Sequence, residues 1–462
     1  MPPKLPAAVK TYYDTLAAIE GAGAANEGAT RSAFQNLLSA WGQPHRLTVL
    51  AEQTIDGTRK RPIRLDGILV DEMHNRRGFW EAKDTGDDLD AEVIKKIAAG
   101  YPLSNMLFEN TRRGVLYQDG ARRVEADLRN PAQLQMILNE FVGYEPAGIA
   151  DFRRAVTRFR EDVPHLAATL TTLIDDARRN NPAFRAALAA FLDMCRKALN
   201  PATTEAEVED MLKQHILTER IFRSIFQNAA FVRRNAVAGE LEQMVDALTS
   251  RAFSRESFLR QLDYFYQPIE DRARGIEDYA EKQDLLRTLY EQFFQAYSTR
   301  AADTHGIVYT PPEIVRWMVA SVEQALQREF GLGLAAEGVH IIDPCVGTGT
   351  FVMELLRRIP TSLLEPKYLR ELHANEVLLL PYYIAAQNIE HAFYERTNQY
   401  APFPGICFAD TLDITQEPQP QLPGFAPENS LRVEEQKKAP IRVVIGNPPY
   451  NVGQENENDN NK

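Results

Sequence analysis

Cysteine is scarce in this sequence, and the three cysteines lie far apart, at Cys195, Cys345 and Cys407. Disulfide frameworks need several paired cysteines, and structural zinc sites need closely spaced ones, so this distribution argues against both kinds of scaffold. We therefore interpret the three side chains as small buried hydrophobic groups.

Long apolar runs and targeting signals are also missing. No apolar stretch reaches the roughly 18 residues of a membrane span, and residues 1–10 lack the charged-then-apolar pattern of a secretory signal. We therefore expect a cytoplasmic protein with no membrane partner. The phosphate-loop pattern G-x-x-x-x-G-K-[ST] does not occur, which leaves a nucleotide-driven motor without support.

The sequence has no excess of positive charge, because its formal net charge is -12. Lysine and arginine contacts to phosphates dominate DNA affinity, so the total charge argues mildly against a nucleic-acid partner. Local basic clusters nevertheless occur, at residues 59–64, 112–113, 122–123, 153–154 and 233–234. Each cluster alone is typical of a solvated surface, and the set permits a basic groove.

Three regions follow from the apolar patterns, and together they predict the α/β fold class. Residues 1–145 mix a helical start with β-type runs and predict a small α/β domain. Residues 146–297 repeat apolar positions at helical spacing and predict a helical connector. Residues 298–462 alternate helices with buried strands, as Rossmann-like domains do.

Local signals add detail to these regions. The β-type runs of the first region are residues 47–55, 63–73, 78–82 and 114–117. The segment 74–78 predicts a hairpin turn in which Gly78 is able to take a positive φ. In the connector, the expected helix boundaries are four prolines, Pro164, Pro182, Pro201 and Pro268.

A strand–turn–helix pattern with two glycines marks the third region. The segment 343–351 reads Asp-Pro-Cys-Val-Gly-Thr-Gly-Thr-Phe, so a strand ends in an acid and turns through glycines into a helix. Such a turn lets the backbone approach a bound cofactor without Cβ clashes, although many Rossmann-like folds have one. The candidate cofactor-binding residues here are Asp343, Pro344, Gly347, Gly349 and Phe351.

A second motif, Asn447-Pro448-Pro449-Tyr450, follows a buried strand about a hundred residues later. The side-chain oxygen of Asn447 and the carbonyl of Pro448 can accept hydrogen bonds from an exocyclic amine and orient its lone pair. Tyr450 offers a face on which a base flipped out of a duplex can stack. Taken alone, the tetrapeptide is also compatible with an ordinary turn.

Together the two motifs resemble the amino-methyltransferases of DNA, in which cofactor motifs precede the catalytic Asn-Pro-Pro-Tyr. By this resemblance, Tyr309 and Thr310 match the leading cofactor motif. Glu376 matches the acid that binds the cofactor ribose, and Asp410 matches the contact to the adenine moiety. The resemblance implies S-adenosylmethionine as methyl donor, double-stranded DNA as partner and adenine N6 specificity. On the residues alone, two alternatives stay open: Tyr309 is also compatible with a core aromatic, and Glu376 and Asp410 are also compatible with ordinary surface acids.

From about Gln214 onward the sequence looks especially like the methyltransferase part of single-chain type ISP restriction-modification enzymes. The segments that carry this resemblance are residues 302–311, 371–376 and 389–391. Helicase motifs, which that family has, are missing, and the sequence stops twelve residues after Tyr450. We therefore expect an incomplete catalytic domain, with a C-terminal target-recognition domain or a separate specificity subunit as its missing partner.

The predicted hairpin carries a D…E-x-K arrangement of Asp66, Glu81 and Lys83. Strand alternation puts Glu81 and Lys83 on one face, and strand pairing brings Asp66 alongside. Two carboxylates can hold Mg²⁺ while the lysine orients a water that attacks a phosphodiester. Glu27 either completes the metal site or is only a favourable charge at a helix N-terminus.

This set resembles the PD-(D/E)xK nucleases, although Leu65 stands where the family usually has proline. The resemblance implies that Asp66, Glu81 and Glu27 bind the metal and that Lys83 is catalytic. The alternative for the pattern alone is a surface hairpin with salt bridges.

The leading hypothesis is a restriction-modification protein, or part of one, that joins a Mg²⁺-dependent DNA endonuclease to a DNA adenine-N6 methyltransferase. Methylation would protect host sites while the nuclease cuts unmodified DNA, such as that of a phage. A protein glutamine methyltransferase stays open, because that class also uses Asn-Pro-Pro-Tyr. A non-catalytic DNA-binding scaffold with inactive sites is the second alternative.

Overall fold

The protein forms two compact units, Met1–Thr157 with Asp271–Leu289 and Arg158–Glu270 with Tyr290–Lys462. The computed structural model describes residues 5–22, 27–59, 61–146, 148–225, 234–249, 254–276, 279–297, 310–412 and 428–449. No helix within these ranges is both long and apolar enough to cross a membrane.

The first unit is built around a six-stranded sheet whose strands lie in chain order. The strands are β1 (Thr48–Asp56), β2 (Pro62–Val70), β3 (Arg76–Ala82), β4 (Asn105–Glu109), β5 (Arg113–Gln118) and β6 (Ala121–Asp127). Its helices include α1 (Ala7–Gly21), α2 (Glu27–Gly42), α3 (Leu89–Ala99) and α4 (Pro131–Gly143). Neighbouring strands pair antiparallel except β3 and β4, which are parallel because α3 makes the crossover between them.

Helices cover both faces of this sheet. Trp80 of β3 packs on one face, where its ring stacks on Phe34 of α2 with centroids 5.7 Å apart. Phe79 packs on the other face in a cluster that includes Val93 of α3. Because successive residues of β3 alternate between these two clusters, the strand is buried on both sides.

The turn between β2 and β3 differs from its prediction. The Asp71 carboxylate accepts a hydrogen bond from the Asn75 backbone N–H at 3.0 Å, and His74 takes the positive φ of 56°. Gly78 lies inside β3, where an added Cβ would lie 2.7 Å from the ring of Phe141 in α4. The prediction of a positive φ at Gly78 was wrong, because this glycine makes room for a helix rather than for the turn.

The described part of the connector is helical, as predicted. Its helices include α5 (Ile149–Asn180), α6 (Pro182–Ala198), α7 (Glu205–Ile225), α8 (Ala236–Leu248), α9 (Arg255–Arg260), α10 (Asp263–Arg274) and α11 (Tyr279–Tyr297). Asn181 caps α6, since its Oδ1 accepts from the Phe184 N–H at 3.1 Å, and Pro182 is the first helical residue.

Two of the four prolines predicted as helix boundaries instead lie inside helices. Pro164 is within α5 and Pro268 is within α10. A proline inside a helix removes one hydrogen bond and its ring crowds the carbonyl four residues back, and tertiary packing can offset that cost. Here Phe159 of α5 and Phe265 of α10 stack with their centroids 3.6 Å apart, five and three residues before the prolines of their helices.

The second unit contains a parallel four-stranded sheet with the order β10-β7-β8-β9. Its strands are β7 (His340–Asp343), β8 (Leu372–Glu376), β9 (Ile406–Phe408) and β10 (Ile441–Val444). The helices around it include α12 (Pro312–Phe330), α13 (Thr350–Arg358), α14 (Thr361–Arg370), α15 (Leu379–Thr397) and α16 (Glu428–Lys438). The carboxyl ends of parallel strands meet at one edge, where ligands bind in such folds.

Replacing Gly78 by alanine should destabilise the first unit by about 1–3 kcal/mol, because the new Cβ overpacks the contact with Phe141. Gly143→Ala is the matched control, since a Cβ at this position in α4 meets nothing within 4 Å. Thermal unfolding of both variants measures the difference. Equal melting temperatures for the two variants would contradict the packing role of Gly78.

Candidate functional site

The predicted glycine turn leaves the carboxyl end of β7. Asp343, the last residue of β7, is only 1% exposed, and its Oδ1 accepts a hydrogen bond from the Cys345 N–H at 3.2 Å. Gly347 and Gly349 have φ values of 56° and 93°, which side chains rarely adopt. A Cβ at Gly349 would also lie 3.2 Å from Ile389 in α15. The turn therefore needs both glycines.

The acid at the end of the neighbouring strand holds this turn. Glu376 ends β8, and its Oε2 accepts a hydrogen bond from the Gly347 N–H at 2.9 Å. Its Oε1 accepts from the Leu378 N–H at 2.8 Å. The Glu376 carboxylate thus joins the glycine turn after β7 to the start of the loop after β8.

Both acids lie in surroundings that disfavour their charge. Burial raises the pKa of Asp343 to about 8, and the nearby charge of Glu376 acts in the same direction. Burial raises the pKa of Glu376 to about 7, and the charge of Asp410 adds to that effect. The Oδ2 of Asp343 is buried and has no hydrogen-bond partner among the described residues. The edge therefore suits a ligand that brings positive charge and hydrogen-bond donors.

Asn447 follows β10 at the same edge of the sheet. Its Nδ2 donates to the Thr310 hydroxyl at 3.0 Å, and both residues line a cavity with Gly347 and Phe351. Because this hydrogen bond uses the amide nitrogen, the Asn447 Oδ1 can accept from a donor in the cavity. The structure thus brings together residues from both sequence motifs.

Other predicted residues lie nearby or beyond the described part of the chain. Asp410 follows β9, and its Oδ1 accepts from the Leu412 N–H at 2.9 Å. Pro448 is exposed. Tyr309 and Tyr450 lie outside the described residues, so their assigned roles stay predictions.

Further polar residues support the turn, and the sequence analysis did not find them. Asn388 of α15 donates to the Thr348 carbonyl at 2.9 Å. Thr411 donates to the carbonyl of Pro344 at 2.8 Å and accepts from Asn375 at 2.9 Å. A polar residue in a largely buried helix is the signal that could have marked Asn388.

The hairpin in the first unit brings the predicted D…E-x-K residues close together. The Asp66 Oδ2 accepts from the Ala82 N–H at 2.9 Å, next to Glu81. The Glu81 Oε1 pairs with Lys83 at 2.7 Å and with Lys96 of α3 at 2.5 Å. Lys96 was missed, because no local pattern links a residue on α3 to the strand β3.

The same hairpin has some features of a metal site. Glu81 is 3% exposed, and its Oε2 is buried without a hydrogen-bond partner in the described structure. An unpartnered buried carboxylate oxygen suits a hard cation such as Mg²⁺. The described residues contain no group of three or more metal-ligating side chains, and the Glu27 side chain lies outside them. Asp66 and Glu81 thus offer two neighbouring carboxylates to a metal, with the Asp66 Oδ1 paired to Arg31 at 2.9 Å and the Glu81 Oε2 unpartnered among the described residues.

Two protein families match parts of this chain. Residues 156–281 match the coupler domain of type ISP restriction-modification enzymes. Residues 281–462 match the N-6 DNA Methylase family. No curated protein matches the chain.

Solved structures give a similar result. The chain is 38% identical to a protein in a cryo-EM structure of a DrdV–DNA complex, with a TM-score of 0.61, and the match covers 98% of this chain and 45% of that one. It is 35% identical to a nuclease-deletion mutant of the type ISP enzyme LlaGI bound to a DNA substrate mimic, with a TM-score of 0.58, and the match covers 66% and 25%.

A third structure is of LlaBIII, an ATP-dependent type ISP restriction-modification enzyme bound to DNA. It is 30% identical over 71% of this chain and 22% of that one, with a TM-score of 0.60. The chain thus spans less than half the length of each of these three relatives. On these matches, the chain carries a type ISP coupler domain followed by an N6 DNA methyltransferase domain.

Proposed function

We propose that the chain is a cytoplasmic restriction-modification protein that methylates adenine N6 in double-stranded DNA and cuts DNA with a Mg²⁺-dependent nuclease. In this proposal, residues 1–145 are the nuclease domain, residues 146–297 the connector and residues 298–462 the methyltransferase domain. The observation that carries the methyltransferase part is the meeting of Asp343, Glu376 and Asn447 at one edge of the parallel sheet.

The cofactor side of this edge fits S-adenosylmethionine, which when bound supplies an electrophilic methyl group. The unpartnered Oδ2 of Asp343 offers an acceptor to a cationic or hydroxyl group. Glu376 is assigned to the ribose, and Asp410 to the adenine moiety. The positive φ of Gly347 and Gly349 keeps side chains away from the backbone that would contact the cofactor. Thr310, Pro344 and Phe351, with Tyr309, complete the assigned set.

The substrate side is assigned to the Asn-Pro-Pro-Tyr motif. The Asn447 Oδ1 and the Pro448 carbonyl accept hydrogen bonds from the exocyclic amine of adenine, which directs the nitrogen lone pair out of the hydrogen-bonding plane. The hydrogen bond to Thr310 fixes the amide plane of Asn447 in advance. Tyr450 stacks on the flipped base.

The nuclease part of the proposal is supported by the hairpin and by the presence of a nuclease in one relative. Asp66 and Glu81, together with Glu27, would hold Mg²⁺, which would offset charge on the phosphate, and Lys83 would orient the attacking water. The nearby Lys96 shares the Glu81 oxygen with Lys83. The LlaGI structure is of a nuclease-deletion mutant of a type ISP restriction-modification enzyme, so that relative has a nuclease.

Replacing Asp343 by asparagine should weaken S-adenosylmethionine binding by about tenfold or more, since a hydrogen bond to a charged group contributes about 1.5–3 kcal/mol. Isothermal titration calorimetry at about pH 8.5, where the carboxyl group is largely ionised, measures this. Glu428→Gln, at an exposed position of the same domain, is the control. Equal affinity in the parent and Asp343→Asn, or no binding by the parent, overturns the cofactor assignment.

The ratio of parent affinity to Glu376→Gln affinity should rise with pH. Because the pKa of Glu376 is raised to about 7, its carboxyl group is mostly protonated at about pH 6 and mostly ionised at about pH 8. The ionised form accepts hydroxyl hydrogen bonds more strongly, so cofactor affinity gains as pH rises through this pKa. We expect a ratio of at least about ten at the higher pH and of a few at the lower one.

Calorimetry at both pH values tests this expectation. Comparing two proteins cancels the titration of the cofactor's own amino group, which affects both equally. A ratio that stays constant or falls with pH would show that the ionised Glu376 does not bind the cofactor.

Lys83→Ala should lower Mg²⁺-dependent DNA cleavage by about 10²-fold or more, because the lysine acts on the attacking water. Lys95→Ala is the matched control, since Lys95 lies on α3 nearby but pairs only at the surface with Glu92. A gel assay of plasmid cleavage with and without Mg²⁺ gives the result. Cleavage by Lys83→Ala at the rate of Lys95→Ala, or no cleavage by the parent, contradicts the nuclease assignment.

A further inference from the structure

A buried histidine links the coupler domain to the methyltransferase domain. His215 of α7 is 0% exposed, and both of its ring nitrogens have partners. Its Nδ1 lies 3.0 Å from the hydroxyl of Tyr383 in α15, and its Nε2 lies 2.9 Å from Oε2 of Glu242 in α8. With Glu242 ionised, Nε2–H donates to the carboxylate, and in the neutral imidazole Nδ1 accepts from the Tyr383 hydroxyl.

The chain of contacts continues through the coupler domain. The other oxygen of Glu242 pairs with Arg255, and Arg255 pairs with Glu219 of α7 at 3.1 Å. Burial raises the pKa of Glu242, but the His215 hydrogen bond and the charge of Arg255 outweigh that effect and hold it below the usual value. Glu242 is therefore ionised, and its carboxylate can only accept the hydrogen bond from His215 Nε2–H.

Another side of α15 contacts the glycine turn. Asn388 donates to the Thr348 carbonyl at 2.9 Å, and a Cβ on Gly349 would lie 3.4 Å from Ala385. Pro381 lines the cavity that Gly347 also lines. Positions 381, 385 and 388 share one helical face, while position 383 is about 200° around the helix from 385. The coupler contact and the turn contact therefore lie on opposite sides of one rigid helix.

We propose that His215 is a positioning residue for the cofactor site, acting through Tyr383 and α15 on the glycine turn. The proposal rests on the assignment of S-adenosylmethionine to that turn, and it deepens that assignment by giving the coupler domain a part in cofactor binding. Because binding couplings are reciprocal, cofactor binding should in turn stabilise the His215–Glu242–Arg255 contacts. A rearrangement of the coupler domain that breaks the His215–Tyr383 hydrogen bond would then weaken cofactor binding.

Two neighbouring tyrosines of α15 provide a matched pair for the test. Tyr383→Phe removes the hydroxyl that meets His215 and keeps the buried ring. Tyr382→Phe removes a hydroxyl that is equally buried but has no hydrogen-bond partner among the described residues. Calorimetry with S-adenosylmethionine, on proteins kept below their melting temperatures, should show affinity about fivefold or more weaker for Tyr383→Phe and unchanged for Tyr382→Phe.

Glu242→Gln provides a second route to the same hydrogen bonds, because it removes the charge that orients His215. It should weaken binding in the same direction, and the double variant with Tyr383→Phe should lose less than the two single losses combined. A merely structural role would lower the melting temperature and leave the affinity of the folded protein unchanged. Strict additivity, or equal affinities for Tyr383→Phe and Tyr382→Phe, overturns the inference while the cofactor assignment stands. No binding by the parent overturns both.

Discussion

The hydrogen bond from the Gly347 amide to the Glu376 carboxylate is the contact on which the arrangement of the site depends. It ties the turn after β7 to the end of β8, two strands far apart in the chain. The positive φ of the glycines, the burial of Asp343 and the packing of α15 on the turn are all compatible with that contact. Burying an acid is costly, so a site that keeps two of them together favours a ligand that supplies donors or positive charge.

Much of the fold follows from periodicity, and the parts that do not have identifiable causes. The apolar runs of β1, β2, β3 and β5 were predicted close to their observed bounds. β6 was not predicted, because its residues are mostly exposed and polar, and β4 has no alternation, because it is buried on both faces. Gly78 was misassigned because turn propensity is local, whereas the contact with Phe141 is set by tertiary packing.

The site was predictable where short motifs carry it. Asp343, Gly347, Glu376 and Asn447 were found from the sequence, and the structure brings them to one edge of the sheet. Lys96, Asn388 and the His215–Tyr383 contact were not found, because each joins residues from separate elements through a side chain with no motif around it. Such supporting contacts depend on tertiary packing, and a single sequence gives at most an indirect sign of them, as with the polar Asn388 in a largely buried helix.

The central claim is that the turn from Asp343 to Phe351 and the adjoining Glu376 bind S-adenosylmethionine. Hydrogen–deuterium exchange with and without the cofactor tests it most directly, because backbone amides report binding whether or not methyl transfer follows. The account predicts slower exchange of the amides in residues 343–351 and 376–378 when the cofactor is added. Unchanged exchange in both segments, or protection confined to other parts of the chain, would contradict it.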